Sequence, residues 1–298
     1  MRADRKFTVK NDGFYGGLYK PKKERLPDHA VIILQGSQGI GRLLQGVLIA
    51  EKFAEAGITA LPIAYHGASG LPKDLLMQPV DAVENASDWL HANGWDKVGV
   101  YGISMGAMMA IAGACLFPEK ISTVIAASPV HFNMQAEKKD DRGTLPGSSF
   151  AYHGKPLPYL PWTISDKEWM KHYKEQSRQH RDLYSRDFME KAWEARKDET
   201  ACFPVEKMRC PVIFLSGEQD AMCPSKESSE YMMKRLDDNN YTYPHIHYHY
   251  NPMSHALLPF RPFLWRKLKI EKEDPEGCNT NREKAWGDVL AFLDENWK

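Results

Sequence analysis

The chain has 298 residues and a mass of 34.0 kDa, with 39 lysines and arginines balanced by 39 aspartates and glutamates. A mass of this size scales to roughly 12,800 Å² of folded surface against roughly 49,000 Å² unfolded, so one large core is within reach. Zero net charge argues against a dedicated nucleic-acid binder or a polybasic membrane surface, and 43% hydrophobic with 26% charged residues argues against disorder.

The charged start, Met1-Arg-Ala-Asp-Arg-Lys6, leads into no apolar stretch of signal-peptide length. Ala30-Val-Ile-Ile-Leu34 is far short of a membrane span. Cys115, Cys202, Cys210, Cys223 and Cys278 form no CxxC pair and are odd in number, which fits reduced thiols and a cytoplasmic location.

In chain order, Lys6 to Lys10 and Gly13 to Lys20 read as short antiparallel strands joined by the turn Asn11-Asp12-Gly13. Ala30 to Leu34 is a continuous apolar run ending near Gly36, the pattern of a strand buried on both faces. A helix from about Arg42 to Ala56 follows, then a strand from Thr59 to Ala64 and a helix from about Val80 to His91. Next come a strand Lys97–Tyr101, a helix from Met105 to about Leu116 and a strand Ile121–Ala126. Strands spaced by helices of this length imply right-handed crossovers and a mainly parallel sheet. The rhythm breaks from His131 to about Phe203, first as a Gly- and Pro-rich stretch and then as polar helical segments with aromatics four apart. Strands resume at Val212–Leu215 and Ile246–Tyr250, and an amphipathic helix covers roughly Glu283 to Asn296. The expected architecture is one α/β domain over the whole chain, its cap of residues 130–204 inserted before the last two strands.

The sharpest chemical signal is Gly102-Ile-Ser104-Met-Gly106, lying between a predicted strand and a predicted helix. A serine at such a turn is held on a strained backbone with its hydroxyl thrust outward, and the glycines leave room for the neighbouring strand and helix. A serine hydroxyl needs a base to take its proton. Ser216-Gly-Glu-Gln-Asp220 follows one late strand and Asn251-Pro-Met-Ser-His255 the next, so acid and base come in the order such a sheet supplies. Asp220 is the expected acid, with Glu218 as competitor, and His255 the expected base. The Met105 N–H at the helix start points toward an oxyanion beside Ser104. A second donor is expected from Gln35-Gly-Ser-Gln-Gly39, through the N–H of Ser37 or Gln38.

His245, His247 and His249 alternate on one strand face and could hold a metal, but a half-exposed polar face is the preferred reading. No metal or cofactor is called for. The cap aromatics Phe150, Tyr152, Tyr159 and Trp162 are candidates to line a substrate pocket. Arg261, Arg266 and Lys267 read as a solvated face that could also meet a phosphate-bearing substrate.

Together with Leu71-Pro-Lys-Asp74, Gly154-Lys-Pro-Leu-Pro158, Pro204-Val-Glu-Lys207 and Pro224-Ser225, these motifs resemble the C-terminal domain of the acyl-CoA thioesterase / bile acid-CoA:amino acid N-acyltransferase family, from about His29 to Phe260. The resemblance implies an α/β-hydrolase fold with a mostly parallel eight-stranded sheet, and a nucleophile–His–Asp triad falling on Ser104, His255 and Asp220. Animal members carry a further N-terminal β-sandwich, for which these residues leave no room. Conjugating members use a cysteine nucleophile, so a serine favours water over an amino acid as acceptor. The expected activity is hydrolysis of an acyl thioester or carboxylic ester, with a peptidase using the same triad, an acyl-CoA:amino acid N-acyltransferase and a non-enzymatic acyl-ligand binder as alternatives. A small-molecule substrate, no nucleic acid and no membrane span are expected, and the oligomeric state is left open.

Overall fold

The computed structural model describes residues 2–37, 43–139, 143–263 and 265–298. Up to the break in rhythm the elements are β1 (Arg5–Phe7), α1 (Val9–Asp12), β2 (Tyr15–Leu18), β3 (His29–Leu34), α2 (Leu44–Glu55), β4 (Thr59–Ala64), the two-residue β5 (Gln78–Pro79), α3 (Asp81–Ala92), β6 (Lys97–Ile103), α4 (Met105–Leu116) and β7 (Thr123–Ala127). The insertion holds β8 (Gln135–Glu137), β9 (Thr144–Ser148), β10 (Phe150–Tyr152), β11 (Lys155–Pro156), α5 (Asp166–His180) and α6 (Arg186–Arg196). The chain then returns through β12 (Val212–Gly217), α7 (Ser225–Asp238), β13 (His245–Tyr250), α8 (Lys269–Glu273) and α9 (Pro275–Asn296).

The main sheet runs in the order β1-β2-β4-β3-β6-β7-β12-β13. The first two strands are antiparallel additions, and the six from β4 to β13 are parallel. Alternate residues of each buried strand feed opposite faces. Ala30, Ile32 and Leu34 pack with α3, α4 and α7, whereas Val31 and Ile33 pack with α2 and α9. This two-sided burial is why the strands read as unbroken apolar runs.

Register places the site. Leu34 pairs with Gly102, Ile103 with Ala127, and Ala127 with Leu215, so the carboxyl ends of β3, β6, β7 and β12 finish at one edge. From β3 the chain moves outward to β4, then crosses back to β6 and proceeds the other way. The crevice between β3 and β6 is therefore a switch point, where open α/β sheets bind their ligands. Gln35–Ser37 leaves one side of that crevice and Ser104 the other.

The structure departs from the sequence expectation in several places, among them the helices α7 and α8, which that expectation does not contain. The first strand stops at Phe7, and Val9–Asp12 forms a helical turn closed by Gly13 at φ 77°, so the two strands are joined by α1 instead of a bare turn. The Gly- and Pro-rich start of the insertion contains the short strands β8 to β11. The last helix begins at Pro275, eight residues before Glu283, where the Asp274 side chain accepts from the Gly277 N–H and caps it.

Candidate active site

Ser104 sits between β6 and α4 at φ 57°, ψ −125°, a conformation that costs a non-glycine residue on the order of 1–3 kcal/mol. The surroundings hold it there. Its N–H donates to the Ala127 carbonyl at 2.9 Å, and its own carbonyl accepts from the Ala107 N–H at 2.9 Å. A Cβ on Gly102 would lie 2.2 Å from the Gly106 carbonyl oxygen, and one on Gly106 would lie 2.3 Å from that of Leu34. Only glycine lets strand, turn and helix approach this closely.

Asp220 follows β12 in the turn after Gly217. Its side chain is buried, with Oδ1 accepting from the N–H groups of Met222 (3.0 Å) and Cys223 (2.9 Å), and Oδ2 from the Ser225 hydroxyl (2.6 Å). Both oxygens lie within reach of His255 Nδ1, at 3.0 and 2.9 Å. A carboxylate is acceptor-only, so Nδ1 donates and Nε2 is left with its lone pair. Glu218, the other acid of the turn, is half-exposed and is engaged by Lys226 Nζ at 3.0 Å and by His249.

The loop carrying His255 is pinned from three directions. Ser128, next to β7, donates its hydroxyl to the His255 carbonyl at 2.8 Å. Ser254 donates to Glu271 Oε1 at 2.7 Å, and the same oxygen takes Arg282 Nη2 at 2.6 Å. A Cβ on Gly217 would strike the carbonyl oxygens of Met253 and Ser254 at 2.6 and 2.5 Å, so β12 and this loop pack backbone to backbone.

Burial alone would drive the His255 imidazole to lose its proton, but the Asp220 carboxylate outweighs it, with help from the Cys223 thiol, and holds the group well above its ordinary value. A general base must be neutral. The kcat/KM profile should therefore fall on the acid side with a midpoint above 6.5, because the proton stays on to higher pH than in a free imidazole. Asp220→Asn should move that midpoint downward. A wild-type midpoint below 6, measured on a substrate that does not itself titrate, would contradict the pairing.

Ser104 and His255 line one cavity. Among the described residues no hydrogen bond joins their side chains, and such contacts often tighten only when substrate is bound. Ser37 lines the same cavity, and the position a Cβ would take on Gly36 is 3.6 Å from Ser104 Cβ, so the β3 turn abuts the serine as expected. The Gly36 N–H is occupied by Gln45 Oε1 at 2.9 Å. Met105 is buried at the first position of α4, where an N–H has no intrahelical acceptor. Gln38 lies outside the described residues.

Two cavities meet at Ser104. The inner one, about 60 Å³, lies under the insertion between Met105, Met108, Trp162, Trp169 and Phe188, and Glu137 also lines it. The outer one, about 380 Å³, runs past His255 along Leu183, Met222, Leu258, Phe260 and Phe263. Of the expected pocket aromatics, Trp162 alone lines either. Phe150 is buried in the core on β10, the Tyr152 hydroxyl bonds Glu84 at 3.0 Å, and Tyr159 is half-buried elsewhere. The outer cavity is lined instead by residues after His255, where Ala256-Leu-Leu-Pro-Phe260 is a visible apolar run. His247 and His249 both meet the Ser216 hydroxyl, at 2.7 and 3.0 Å, and burial holds His247 down to about 4. No group of His, Cys, Asp and Glu among the described residues is arranged to hold a metal.

Residues 81–296 match the family model described as BAAT / acyl-CoA thioester hydrolase C terminal. The chain belongs to this family. The match begins later than the sequence motifs suggested and extends further, through α9. Among curated relatives of this BAAT C-terminal chain, the rat acyl-coenzyme A amino acid N-acyltransferase 2 is 26% identical over 230 residues, covering 74% of the chain and 47% of the relative. The mouse bile acid-CoA:amino acid N-acyltransferase is 26% identical over 238 residues, covering 79% and 50%. The chain thus spans about half the length of the curated relatives it matches. Its fold is that of the α/β hydrolases. A puromycin-hydrolyzing peptidase of Mycobacterium tuberculosis superposes with a TM-score of 0.57 at 14% identity, over 95% of this chain and 37% of that one. Est1E from Butyrivibrio proteoclasticus gives 0.52 at 17%, over 95% and 97%, and the Pyrococcus horikoshii acylaminoacyl peptidase 0.57 at 12%, over 100% and 41%.

Proposed function

We propose that this BAAT-family chain is a serine hydrolase that cleaves acyl thioesters, or carboxylic esters of similar acyl groups, through an acyl-Ser104 intermediate. The observation that carries the reading is the buried Asp220–His255 pair opening into the cavity that Ser104 also lines. His255 Nε2 takes the Ser104 proton as Oγ adds to the acyl carbonyl, and Asp220 orients the imidazolium and stabilises its charge. The Met105 N–H and the Ser37 turn receive the tetrahedral oxyanion. His255 then returns the proton to the departing thiol or alcohol. A water molecule, deprotonated by the same nitrogen, attacks the acyl-serine and releases the acid. No cofactor enters any step.

The cavity sizes favour one place for the acyl chain. The inner cavity, about 60 Å³, is much the smaller beside the outer one of about 380 Å³, which suits a longer chain better. Leu183→Trp should narrow the outer cavity and lower kcat/KM for a long-chain substrate by about 10- to 200-fold, while acetyl turnover changes little. Equal losses on both would place the chain elsewhere.

The decisive experiment has two parts. A fluorophosphonate probe should label Ser104, with the modified peptide identified by mass spectrometry. Acyl-CoA and p-nitrophenyl ester substrates of matched chain length should then rank thioester against ester. The names of the two N-acyltransferase relatives favour a second reading, transfer of the acyl group to an amine. Its measure is the amide-to-acid ratio at rising glycine or taurine, and abundant amide would replace hydrolysis with transfer.

A further inference from the structure

The rim of the outer cavity has a composition that the chemistry at Ser104 does not use. Pro262, Phe263 and Leu268 line that cavity just beyond the His255 loop, and among their described chain neighbours Arg261, Arg266, Lys267, Lys269 and Lys272 are exposed. The one acid among residues 261–272, Glu271, is buried and paired with Arg282 at 2.6 Å. The exposed charges up to Lys272 are therefore all positive, with the exposed acids Glu273 and Asp274 following them, although the chain as a whole is neutral. None of the five cations forms an ion pair with another described residue. Instead, Arg261 and Arg266 flank the Trp265 ring at 3.8 and 5.3 Å from its centroid.

The same rim carries exposed apolar side chains. Phe263 is 70% exposed and Leu44, across the cavity mouth, is 56% exposed, the two highest values among the large apolar residues left in solvent. Both line the outer cavity. A soluble phosphate ligand would explain the cations but would leave Phe263 and Leu44 in water. A second copy of the chain could cover the apolar side chains, but a two-fold contact centred here would bring these cations against their own image. An anionic lipid surface satisfies both features, because apolar side chains enter the acyl boundary while flanking cations meet headgroup phosphates. Aromatic rings beside cations also suit the interfacial layer.

We infer that this rim is a docking surface for anionic membranes, with Phe263 and Leu44 inserted and Arg261, Arg266, Lys267, Lys269 and Lys272 over the headgroups. The contact is superficial, since no helix among the described residues is long and apolar enough to cross a membrane. Docked in this way, the outer cavity opens from the lipid surface toward Ser104, and an amphiphile with its chain in the bilayer reaches the site without crossing water.

The inference is tested without turnover, so its failure is separable from failure of the hydrolase reading. The protein is co-sedimented with vesicles of phosphatidylcholine mixed with phosphatidylglycerol, and with vesicles of phosphatidylcholine alone. Binding should favour the anionic vesicles and weaken at high salt. The double variant Arg266→Glu/Lys267→Glu, which removes two cations and adds two anions, should lower partitioning by more than about 30-fold at an unchanged melting temperature, and Phe263→Ser should lower it about 10-fold. Absence of binding, equal binding to both vesicle types, or unaltered partitioning of the charge-reversed variant would overturn the inference. So would displacement from the vesicles by free coenzyme A, since the cations would then serve a soluble phosphate.

Discussion

Ser104→Ala is expected to lower kcat by about 10⁴- to 10⁶-fold, with the melting temperature little changed. The missing oxygen is the only atom of the side chain that chemistry requires. Alanine has a Cβ like serine's, so it meets the same backbone conformation at φ 57° and adds no new strain there. His255→Ala should cost nearly as much, and the double variant scarcely more than either alone, because base and nucleophile act in one step. The comparison is made on steady-state hydrolysis of one activated ester, with the unfolding transition followed on the same preparations. A Ser104→Ala enzyme that keeps a tenth of its rate would remove serine from the mechanism. Attention would then pass to Cys223, whose thiol also faces His255, although burial pushes it up and away from the reactive thiolate.

Gly106→Ala should destabilise the protein by about 2–4 kcal/mol and lower activity by well over 100-fold. The added methyl would lie 2.3 Å from the Leu34 carbonyl oxygen and 2.5 Å from that of Gln35. Both are backbone atoms at the end of β3, and neither can swing aside as the tip of a side chain would. Relief comes only by separating α4 from β3, which moves the Ser37 turn away from Ser104. Gly287→Ala in α9 is the matched control, because nothing lies within 4 Å of its added methyl. The same change there should stabilise by about 0.5–1 kcal/mol through helix propensity and a less flexible unfolded chain. Urea denaturation of both variants settles the comparison, and a Gly106→Ala midpoint equal to wild type would contradict the packing described.

Some parts of this site are written locally and others are not. The turn at Ser104 was legible because its constraints lie within five residues, a strand end, two obligatory glycines and a helix start, and helix α4 begins and ends where its sequence predicts. The acid was ambiguous because Glu218 and Asp220 share one turn and differ only in where they point. The structure separates them by giving Asp220 the N–H groups of Met222 and Cys223 and leaving Glu218 to Lys226. Cavity lining is written least locally. Aromatic content marks burial but not the face that is buried, so Phe150 and Tyr152 joined the core around α3 and α4 instead of a cavity. The start of α9 was available in Asp274-Pro275, a capping residue followed by a proline at the first helical position.

The insertion departs after β7 and returns at β12, and these two strands are hydrogen-bonded neighbours in the sheet. Its ends are thus held side by side by the scaffold, whatever lies between them. Lengthening a segment whose ends are already fixed costs little in closure entropy, about 0.6 kcal/mol for each doubling. The excursion is therefore a place where residues can be gained, lost or exchanged wholesale while β6, β12 and the His255 loop stay in register. Variation in length among descendants of this chain should concentrate between Ala127 and Val212. The shape of the inner cavity would drift with it, while the spacing of Ser104, Asp220 and His255 stayed constant.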